Sequence, residues 1–364
     1  MTMQNQWVAQ AIETLNRDGQ RSSDTHLLKL NLPKTPGIDV YFKDESTHIT
    51  GSLKHRLARS LFLYGLANGC IQQSTPIIEA SSGSTAVSEA YFARMLGLRF
   101  IAVMAKSTSK KKIQRIEKFG GECVLVDNPS ADRQTAQKLA CELNGHFMDQ
   151  FTYAERATDW RGNNNIAESI FQQMALEPHA EPRWIVCGAG TGGTSATIGR
   201  YIRYRGHQAK LCVVDPSNSV FYHYYQHLDP NYCCQGGSGI EGIGRPTVPA
   251  SFIPGVVDEM MQVDNAQSLA AMRFLSDVLD RPVGASTGTN FCGVVQLIRQ
   301  MQAAGKQGSI VTLICDSGQL YQDTYYNDQW LAEQGYQIQP YLEAFYSFYQ
   351  TGQFPESIHL ATTA

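Results

Sequence analysis

The sequence predicts an α/β protein built on mostly parallel sheets with helices on both faces. Short apolar runs rich in β-branched residues recur along the chain, helical patterns lie between them, and glycine- and hydroxyl-rich loops follow several runs. Strand, loop and helix in repeated succession are typical of parallel sheets, because each connecting helix packs back onto the sheet. At 364 residues the chain is too long for one comfortable core, so two domains are expected.

The predicted strands share an apolar composition typical of buried strands. They are 39–45, 75–80, 100–105, 122–127, 183–188, 211–215 and 309–316. The helices predicted between them stop near glycines, which terminate helices readily. They are 55–67, 84–96, 110–119 and 194–205. The long stretch 222–250 is rich in glycine and aromatic residues and predicts a functional loop.

Composition and charge restrict the class of protein. A formal net charge of −3 is nearly neutral for this size and argues against a nucleic-acid partner. The sequence shows no apolar run of membrane-spanning length and no apolar leader at its start, so we expect a cytoplasmic protein without a membrane partner. Nine cysteines without a Cys-x-x-Cys pair indicate free thiols. The pair Cys233–Cys234 is either reactive or an ordinary loop feature, and His223 and His227 lack a third ligand, so no metal is predicted.

A glycine- and threonine-rich loop, 188–194, follows the predicted strand 183–188 and precedes a predicted helix. Converging backbone amides, hydroxyl donors and a helix N-terminus are the parts of an anion-binding loop. Three of its glycines, together with Asp215, also match the dinucleotide fingerprint, which leaves an NAD-binding oxidoreductase as a distant alternative. Thr191 and Thr194 suit a small terminal phosphate better than a pyrophosphate.

The segment THITGSLKHR places Lys54 in the first turn of a predicted helix. A helix N-terminus disfavours an ammonium and lowers the pKa of lysine, which favours a nucleophilic amine. A surface lysine is the alternative when the motif is taken alone. A Schiff-base lysine and a separate phosphate loop are the two requirements of pyridoxal 5′-phosphate (PLP), so the two motifs together predict a PLP enzyme.

Seven segments occur in the order KDESTHITGSLKHR, EASSGSTAVSEA, DQFTYAERATDWRG, GAGTGGT, GGSGIEGIG, GASTG and DSG. Their order resembles the cysteine synthase and cystathionine β-synthase family of fold-type II PLP enzymes, and the first three segments are most similar to its L-cysteine desulfhydrase branch. The resemblance implies a tryptophan synthase β-like fold of two three-layer α/β/α domains with PLP in the cleft between them. It also implies a homodimer.

The resemblance further implies how the domains divide the chain. A smaller mobile domain, 45–155, would carry the substrate loop. A larger domain, 1–44 and 156–350, would bind the PLP phosphate, and 351–364 would form a tail.

Site residues follow from the same resemblance. Lys54 would be linked to the PLP aldehyde and would carry the substrate α-proton. The PLP phosphate would be held by Gly190, Thr191, Gly192, Gly193 and Thr194. The substrate would be bound by Ser81, Ser82, Gly83, Thr85 and Gln150, with Gly242 bordering the entrance. Ser286 would face the pyridine nitrogen, and Ser84 would approach the 3′-oxygen of PLP.

Two positions depart from the family pattern. Ser84 stands where the family usually has asparagine, and a serine is shorter and offers one donor instead of two. This departure motivates one alternative, a catalytically inactive protein that binds an amino acid. Glu241 replaces a commoner glutamine near the entrance. His48 and His55 flank Lys54 and are candidates for assisting proton transfer.

A serine at the pyridine nitrogen leaves that nitrogen unprotonated, which suits β-elimination. The resemblance therefore implies a carbon–sulfur lyase that converts L-cysteine to hydrogen sulfide, pyruvate and ammonia through an aminoacrylate intermediate. A β-replacement enzyme of the cysteine synthase (O-acetylserine sulfhydrylase) or cystathionine β-synthase type is the alternative. Both reactions use the same residues, so the motifs do not separate them.

Overall fold

The computed structural model describes residues 3–22 and 24–364. Its strands are β1 (Leu27–Leu30), β2 (Ile38–Asp44), β3 (Ile77–Ala80), β4 (Phe100–Ala105), β5 (Glu122–Val126), β6 (His146–Phe147), β7 (Pro182–Gly188), β8 (Lys210–Pro216), β9 (Glu259–Val263), β10 (Gly308–Ile314) and β11 (Thr362–Thr363). Its α-helices are α1 (Met3–Arg21), α2 (Lys54–Ala67), α3 (Ser84–Met95), α4 (Lys110–Glu117), α5 (Asp132–Glu142), α6 (Gln150–Ala157), α7 (Ile166–Met174), α8 (Gly193–Arg205), α9 (Phe221–His227), α10 (Asn265–Val278), α11 (Ala285–Ala303), α12 (Asp328–Glu333) and α13 (Gln339–Thr351).

The chain forms two compact units. Unit 1 comprises Met1–Asp24 and His48–Asp159, and unit 2 comprises Thr25–Thr47 and Trp160–Ala364. Within unit 1, Leu15 of α1 is buried against apolar residues of α2, so the first helix belongs to this unit. The sequence instead placed residues 1–44 with the larger domain, because nothing local to α1 reveals its packing partner.

The last residues also belong to a unit. Phe354 and Leu360 are buried in the core of unit 2, and β11 pairs with β9, so 351–364 are packed into that unit. The sequence had set this stretch apart as a tail. The assignment of substrate loop and phosphate loop to different functional domains stays a prediction.

Unit 1 contains a parallel sheet in the order β5-β4-β3-β6. Because successive side chains of a strand point to opposite faces, neighbouring residues of β3 enter different cores. Ile77 packs in the cluster that includes residues of α2 and α3, whereas Ile78 packs against Ala136 and Ala140 of α5. Helices therefore cover both faces of this sheet.

Unit 2 contains a sheet in the order β1-β2-β10-β7-β8-β9-β11. Its central strands are parallel, whereas β1 and β11 pair antiparallel at the two edges. Val186 and Val214 face a large core with α10, α11 and α13, and α8 contacts β7 and β8. Parallel strands buried on both faces read as continuous apolar runs, which is the pattern that the sequence shows.

The seven predicted strands are confirmed as β2, β3, β4, β5, β7, β8 and β10, and the four predicted helices as α2, α3, α4 and α8.

The predicted loop 222–250 is wrong at its start, because α9 occupies Phe221–His227. The carboxylate of Asp215, seven residues earlier in the chain, accepts the backbone N–H of Tyr222 at 2.9 Å and so stabilises the first turn of α9. None of the helices in the described ranges is apolar over a length that would cross a bilayer.

Gly288 of α11 lies directly against the backbone of α10. A Cβ at this position would lie 2.0 Å from the carbonyl oxygen of Ser268 and 2.7 Å from the backbone nitrogen of Met272. Glycine to alanine normally stabilises a helix interior, but here we expect Gly288→Ala to destabilise the protein by about 1–3 kcal/mol or more through overpacking. Thermal unfolding measures the loss. Gly255→Ala, where an added Cβ would meet nothing within 4 Å, is the matched control, and an unchanged Gly288→Ala midpoint would contradict the expectation.

Candidate active site

Lys54 is the first residue of α2, as the sequence predicted. Its backbone N–H donates to the Ser52 hydroxyl at 3.3 Å, and Gly51 before it has φ +80°, a conformation that favours glycine. The turn is closed by the Gly51 N–H, which donates to the carbonyl oxygen of His48 at 2.7 Å. This tight turn fixes the direction in which the chain enters α2 and therefore the origin of the lysine side chain.

A hydrogen-bonded set of side chains lies beside this turn in unit 1. His55 is buried, its Nδ1 lies 3.2 Å from the Thr50 hydroxyl, and the Ser88 hydroxyl of α3 donates to Thr50 at 3.0 Å. The ring of His55 stacks on that of His48 at 4.7 Å. These contacts fasten the turn before Lys54 to α3, and a part for either histidine in proton transfer stays a prediction.

The predicted substrate residues of unit 1 lie after β3 and at the start of α6. They are Ser81, Ser82, Gly83, Thr85 and Gln150. The structure joins two of them directly, since the Thr85 hydroxyl donates to Oε1 of Gln150 at 2.8 Å. Both side chains are buried. Asp149, in a left-handed conformation with φ +47°, turns the chain into α6 and pairs with Arg133 at 2.8 Å.

The predicted phosphate loop lies between β7 and α8 in unit 2. Gly192 caps α8 with φ +87°, and the Gly193 N–H donates to the Thr191 hydroxyl at 3.2 Å. A Cβ on Gly190 would lie 2.3 Å from the carbonyl oxygen of Gly242, and a Cβ on Gly192 would lie 2.6 Å from Cα of Phe252. Only glycine fits these positions, and the loop ends at the N-terminus of a helix whose first N–H groups lack intrahelical acceptors. The residues present therefore fit a phosphate group.

The entrance segment, residues 236–244, contains Gly242 with φ +91°. Its conformation is fixed from within by the Ser238 hydroxyl, which donates to the carbonyl oxygens of Ile240 at 3.0 Å and Ile243 at 2.7 Å. It is fixed from outside by the Tyr325 hydroxyl, which donates to the Gly239 carbonyl and accepts the Glu241 N–H, both at 3.0 Å. The backbone of this segment is thus held in place from two sides.

The entrance segment also contacts the phosphate loop. The backbone N–H of Gly244 donates to the carbonyl oxygen of Ala189 at 2.8 Å. The Ser251 hydroxyl donates to the carbonyl oxygen of Thr191 from the other side. The phosphate loop is therefore supported by two segments far from it in the sequence.

Ser286 is a buried residue in the first turn of α11. Gly284, two residues earlier, lies against Asp316, which follows β10 by two residues, since a Cβ on Gly284 would lie 1.8 Å from Oδ1 of Asp316. Asp316 is held in turn by the Tyr321 hydroxyl, which donates to Oδ2 at 2.6 Å. The N-terminus of α11, and with it the Ser286 hydroxyl, is thereby placed relative to the end of β10.

Asp215, the acidic residue of the dinucleotide fingerprint, is fully buried beneath α9. Burial raises its pKa to about 7, while hydrogen bonds from Ser219 and from the N–H groups of Tyr222 and Phe221 oppose that rise. Because the Asp215 carboxylate accepts N–H groups at the start of a helix, it is not available to hydrogen-bond a ribose. This removes Asp215 as an argument for the NAD-binding alternative and leaves only the glycine pattern.

The Cys233–Cys234 pair and the His223–His227 pair make local contacts. Cys233 forms an isolated β-bridge with Thr247, and burial raises the pKa of the Cys234 thiol, which disfavours a reactive thiolate. The His223 ring stacks on Tyr232 at 3.7 Å and lies 4.4 Å from the ring of His227. In the part of the chain that the structure describes, no group of three or more potential ligands could hold a metal ion.

Sequence reasoning missed three residues whose side chains hydrogen-bond to the backbone of the predicted site segments. They are Glu79, Ser251 and Tyr325. Glu79 carried a signal, since a charged residue inside the apolar run 75–80 needs hydrogen-bond partners when it is buried. The other two gave no local signal, because their partners lie about 60 and 84–86 residues away.

Comparisons with known proteins identify the family of the chain. A family model described as pyridoxal-phosphate dependent enzyme matches residues 20–316. The chain is 57% identical over 338 residues to L-cysteine desulfhydrase Cds1 of Mycobacterium tuberculosis, with 92% of each chain covered. It is 28% identical over 333 residues to cystathionine beta-synthase of Apis mellifera, covering 87% of this chain and 62% of that one. The solved hydrogen sulfide-producing enzyme Fn1055 from Fusobacterium nucleatum matches with a TM-score of 0.75 at 25% identity, covering 87% and 92%.

The chain therefore belongs to the family of pyridoxal-phosphate-dependent enzymes. Within it, the predicted resemblance to fold-type II enzymes of the cysteine synthase and cystathionine β-synthase group is confirmed, as is the α/β fold with mostly parallel sheets. PLP is accordingly the cofactor.

Gly190→Ala tests the phosphate loop. The added Cβ would collide with the Gly242 carbonyl at 2.3 Å, so the loop must shift and we expect the affinity for PLP to fall by about tenfold or more. PLP titration of the apoprotein, followed by visible absorbance, measures the affinity. Gly162→Ala, where the added Cβ would make an ordinary 3.6 Å contact with Glu168, is the control. Equal PLP affinity of the two variants would contradict the assignment.

Tyr325→Phe tests the support of the entrance segment. The change leaves the Gly239 carbonyl and the Glu241 N–H without their phenol partner, at a cost of about 1–3 kcal/mol to the local structure. We expect faster hydrogen exchange at residues 236–244 with the fold intact, measured by mass spectrometry. Tyr204→Phe removes an exposed hydroxyl elsewhere in unit 2 and should leave that exchange unchanged.

Proposed function

We propose that this protein is a PLP-dependent L-cysteine desulfhydrase, a carbon–sulfur lyase that releases hydrogen sulfide, pyruvate and ammonia from L-cysteine. The observation that carries the proposal is the 57% identity, over 92% of both chains, to an enzyme named L-cysteine desulfhydrase. The match to a solved hydrogen sulfide-producing enzyme supports it. The residues suit the reaction, because unit 1 contains a lysine at a helix start and a hydroxyl-rich loop, and unit 2 contains a phosphate loop.

The proposed PLP ligands are the five residues of the phosphate loop and three further side chains. Gly190, Thr191, Gly192, Gly193 and Thr194 would bind its phosphate, Ser286 would face the pyridine nitrogen, Ser84 would approach the 3′-oxygen, and Lys54 would be linked to the aldehyde. When bound, PLP stabilises the negative charge that develops at Cα of an amino acid as the α-proton leaves. The tight glycine contacts of the phosphate loop support this arrangement.

Substrate binding and removal of the α-proton each have a proposed group in the chain. Ser81, Ser82, Gly83, Thr85 and Gln150 would hold the substrate α-carboxylate, and Gly242 would border the entrance. The Lys54 amine would take the α-proton, and the Cβ–S bond would break as sulfide leaves with the bonding electron pair. Addition of one water then yields pyruvate and ammonia, so L-cysteine and water balance hydrogen sulfide, pyruvate and ammonia.

Exclusion of water decides between elimination and replacement. A site that opens after sulfide leaves admits water and gives pyruvate, whereas a site that stays closed keeps the bound product for a second thiol. We propose elimination as the main reaction.

We also propose that the protein is a cytoplasmic homodimer, which the family resemblance supports. Light scattering after gel filtration measures the molar mass and so tests the dimer.

The decisive experiment supplies the PLP-loaded protein with L-cysteine alone. We expect sulfide and pyruvate in a 1:1 ratio, measured by a sulfide assay and by lactate dehydrogenase coupling. Absence of pyruvate contradicts the lyase assignment. Sulfide without pyruvate, appearing only after a second thiol is added, identifies a β-replacement enzyme instead.

Lys54→Ala should reduce pyruvate formation by roughly 10³-fold or more, because the variant lacks both the link to PLP and the proton acceptor. Lys110→Ala is a matched control, since Lys110 is also the first residue of a helix, α4, but is exposed and lies outside the predicted site. Borohydride treatment of the two proteins should fix PLP covalently to the control only. Full turnover in Lys54→Ala would contradict its assigned role.

A further inference from the structure

Glu79 is a buried carboxylate at the end of β3, directly before the predicted substrate loop, and its residue is 1% exposed. Its two oxygens have separate partners. Oε1 accepts the backbone N–H of Ala80 at 2.7 Å, and Oε2 accepts the backbone N–H of Gln150 at 3.1 Å. One side chain therefore joins the first residue before the loop to the first residue of α6.

A second contact joins the same two segments. The Thr85 hydroxyl, just past the substrate loop, donates to Oε1 of Gln150 at 2.8 Å. Together with the Glu79 contacts this closes a ring through Ala80, the loop, Thr85 and Gln150. Since Oε1 of Gln150 already accepts from Thr85, the Nε2 amide group is the end of Gln150 that can donate to a carboxylate.

We propose that Glu79 is a positioning residue that sets the distance between the substrate loop and Gln150, and thereby assembles the subsite for the α-carboxylate of the amino-acid substrate. The proposal rests on the proposed function, because that function assigns the carboxylate to these residues. Glu79 acts through two backbone N–H groups and touches no reacting atom.

The surroundings of Glu79 explain why a charged side chain is needed for this link. A carboxylate accepts two N–H bonds in different directions from one side chain, whereas an amide offers one acceptor and one donor. Glu79→Gln would therefore turn an NH₂ group toward one of the two backbone N–H groups. Either Ala80 or Gln150 would lose its acceptor and the two segments would move apart.

A second buried carboxyl provides the matched control. Glu89 of α3 is fully buried, and among the described residues neither of its oxygens has a hydrogen-bond partner. Burial raises the pKa of Glu89 well above its ordinary range, and the neighbouring Glu79 raises it further. Burial likewise raises the pKa of Glu79, to about 8, although the N–H groups of Gln150 and Ala80 oppose that rise. The charged form of Glu79 is indicated by its geometry, because both of its oxygens accept a backbone N–H, whereas Glu89 accepts none from the part of the chain that the structure describes. Of the two buried carboxyls, Glu89 is thus the neutral one, and Glu89→Gln replaces it with a neutral side chain of the same shape.

The first measurement is steady-state turnover of L-cysteine by PLP-loaded wild type, Glu79→Gln and Glu89→Gln. We expect KM of Glu79→Gln to rise about 10- to 100-fold, the range that corresponds to one buried group left unpaired, with a smaller change in kcat. Glu89→Gln should match wild type. A Glu79→Gln enzyme with unchanged KM overturns the proposal.

The second measurement separates positioning from general structural damage. L-Alanine carries the α-carboxylate and ethylamine lacks it, and neither has a leaving group. Binding of each is read from the visible absorbance of the PLP-loaded protein. We expect Glu79→Gln to weaken L-alanine binding by the same factor as KM while ethylamine binding stays unchanged. Equal loss for both ligands, or loss for neither, overturns the proposal.

This comparison is independent of the elimination reaction. If wild type binds L-alanine more tightly than ethylamine but forms no pyruvate from L-cysteine, the proposed function fails and the role of Glu79 can still hold. If wild type shows no preference for L-alanine, the carboxylate subsite itself is wrong and so is the proposal. The two failures give different results.

A second pair of variants covers the case in which Glu79→Gln does not fold. Thr85→Val removes the hydrogen bond between Thr85 and Gln150, which is the second link between the substrate loop and α6. It should weaken binding of L-alanine but not of ethylamine. Thr85→Ser keeps the hydroxyl and should restore it. If Thr85→Val binds L-alanine as tightly as Thr85→Ser does, the ring does not set the subsite and the proposal is overturned.

Discussion

Close approach of backbone to backbone around the phosphate loop is the constraint on which the organisation of unit 2 depends. Gly190 lies against the Gly242 carbonyl and Gly192 against Phe252, at separations that leave no room for a Cβ. Such contacts bring the start of α8, the entrance segment and the 251–252 turn to one place at the end of β7. An anion can then meet several N–H groups at once, which a flexible loop would not provide.

Both units use the same construction. A parallel sheet ends in a short polar loop, and a helix begins directly after it, as α3 does after β3 and α8 after β7. Because the carboxyl ends of parallel strands lie at one edge, each sheet concentrates helix N-termini and hydroxyl groups where a negatively charged ligand group can bind. The two predicted negative groups of the bound state, a phosphate and a carboxylate, are matched to one such edge each.

Buried carboxyls mark the places where this construction needs support. Asp215 fastens the start of α9, Asp316 fixes the approach to α11, and Glu79 ties β3 to α6. Burial of such groups is unfavourable unless N–H or O–H donors compensate it, and each of the three accepts such bonds. Their function is therefore to hold loops and helix starts, and none of the three is itself predicted to touch the ligand.

The local sequence predicted most of the strands and helices that form the two sheets, because the central strands are buried on both faces and the helices follow them at regular intervals. That pattern fixed β2, β3, β4, β5, β7, β8 and β10, and the glycine, threonine and lysine motifs identified the family and the cofactor. The short strand β6 and the edge strands β1 and β11 escaped prediction, since they bury few residues. Strand β9, with two methionines, lacks the β-branched run that marks the others.

Tertiary structure alone decided the rest. The packing of α1 on α2 and the ring of Glu79, Thr85 and Gln150 depend on partners tens of residues away. A hydrogen bond or a close backbone contact between distant segments does not alter the hydrophobic periodicity of either segment, so sequence patterns do not reveal it. The sequence therefore determined which groups can bind a phosphate and an amino acid, and only the fold decided which residues hold them in place.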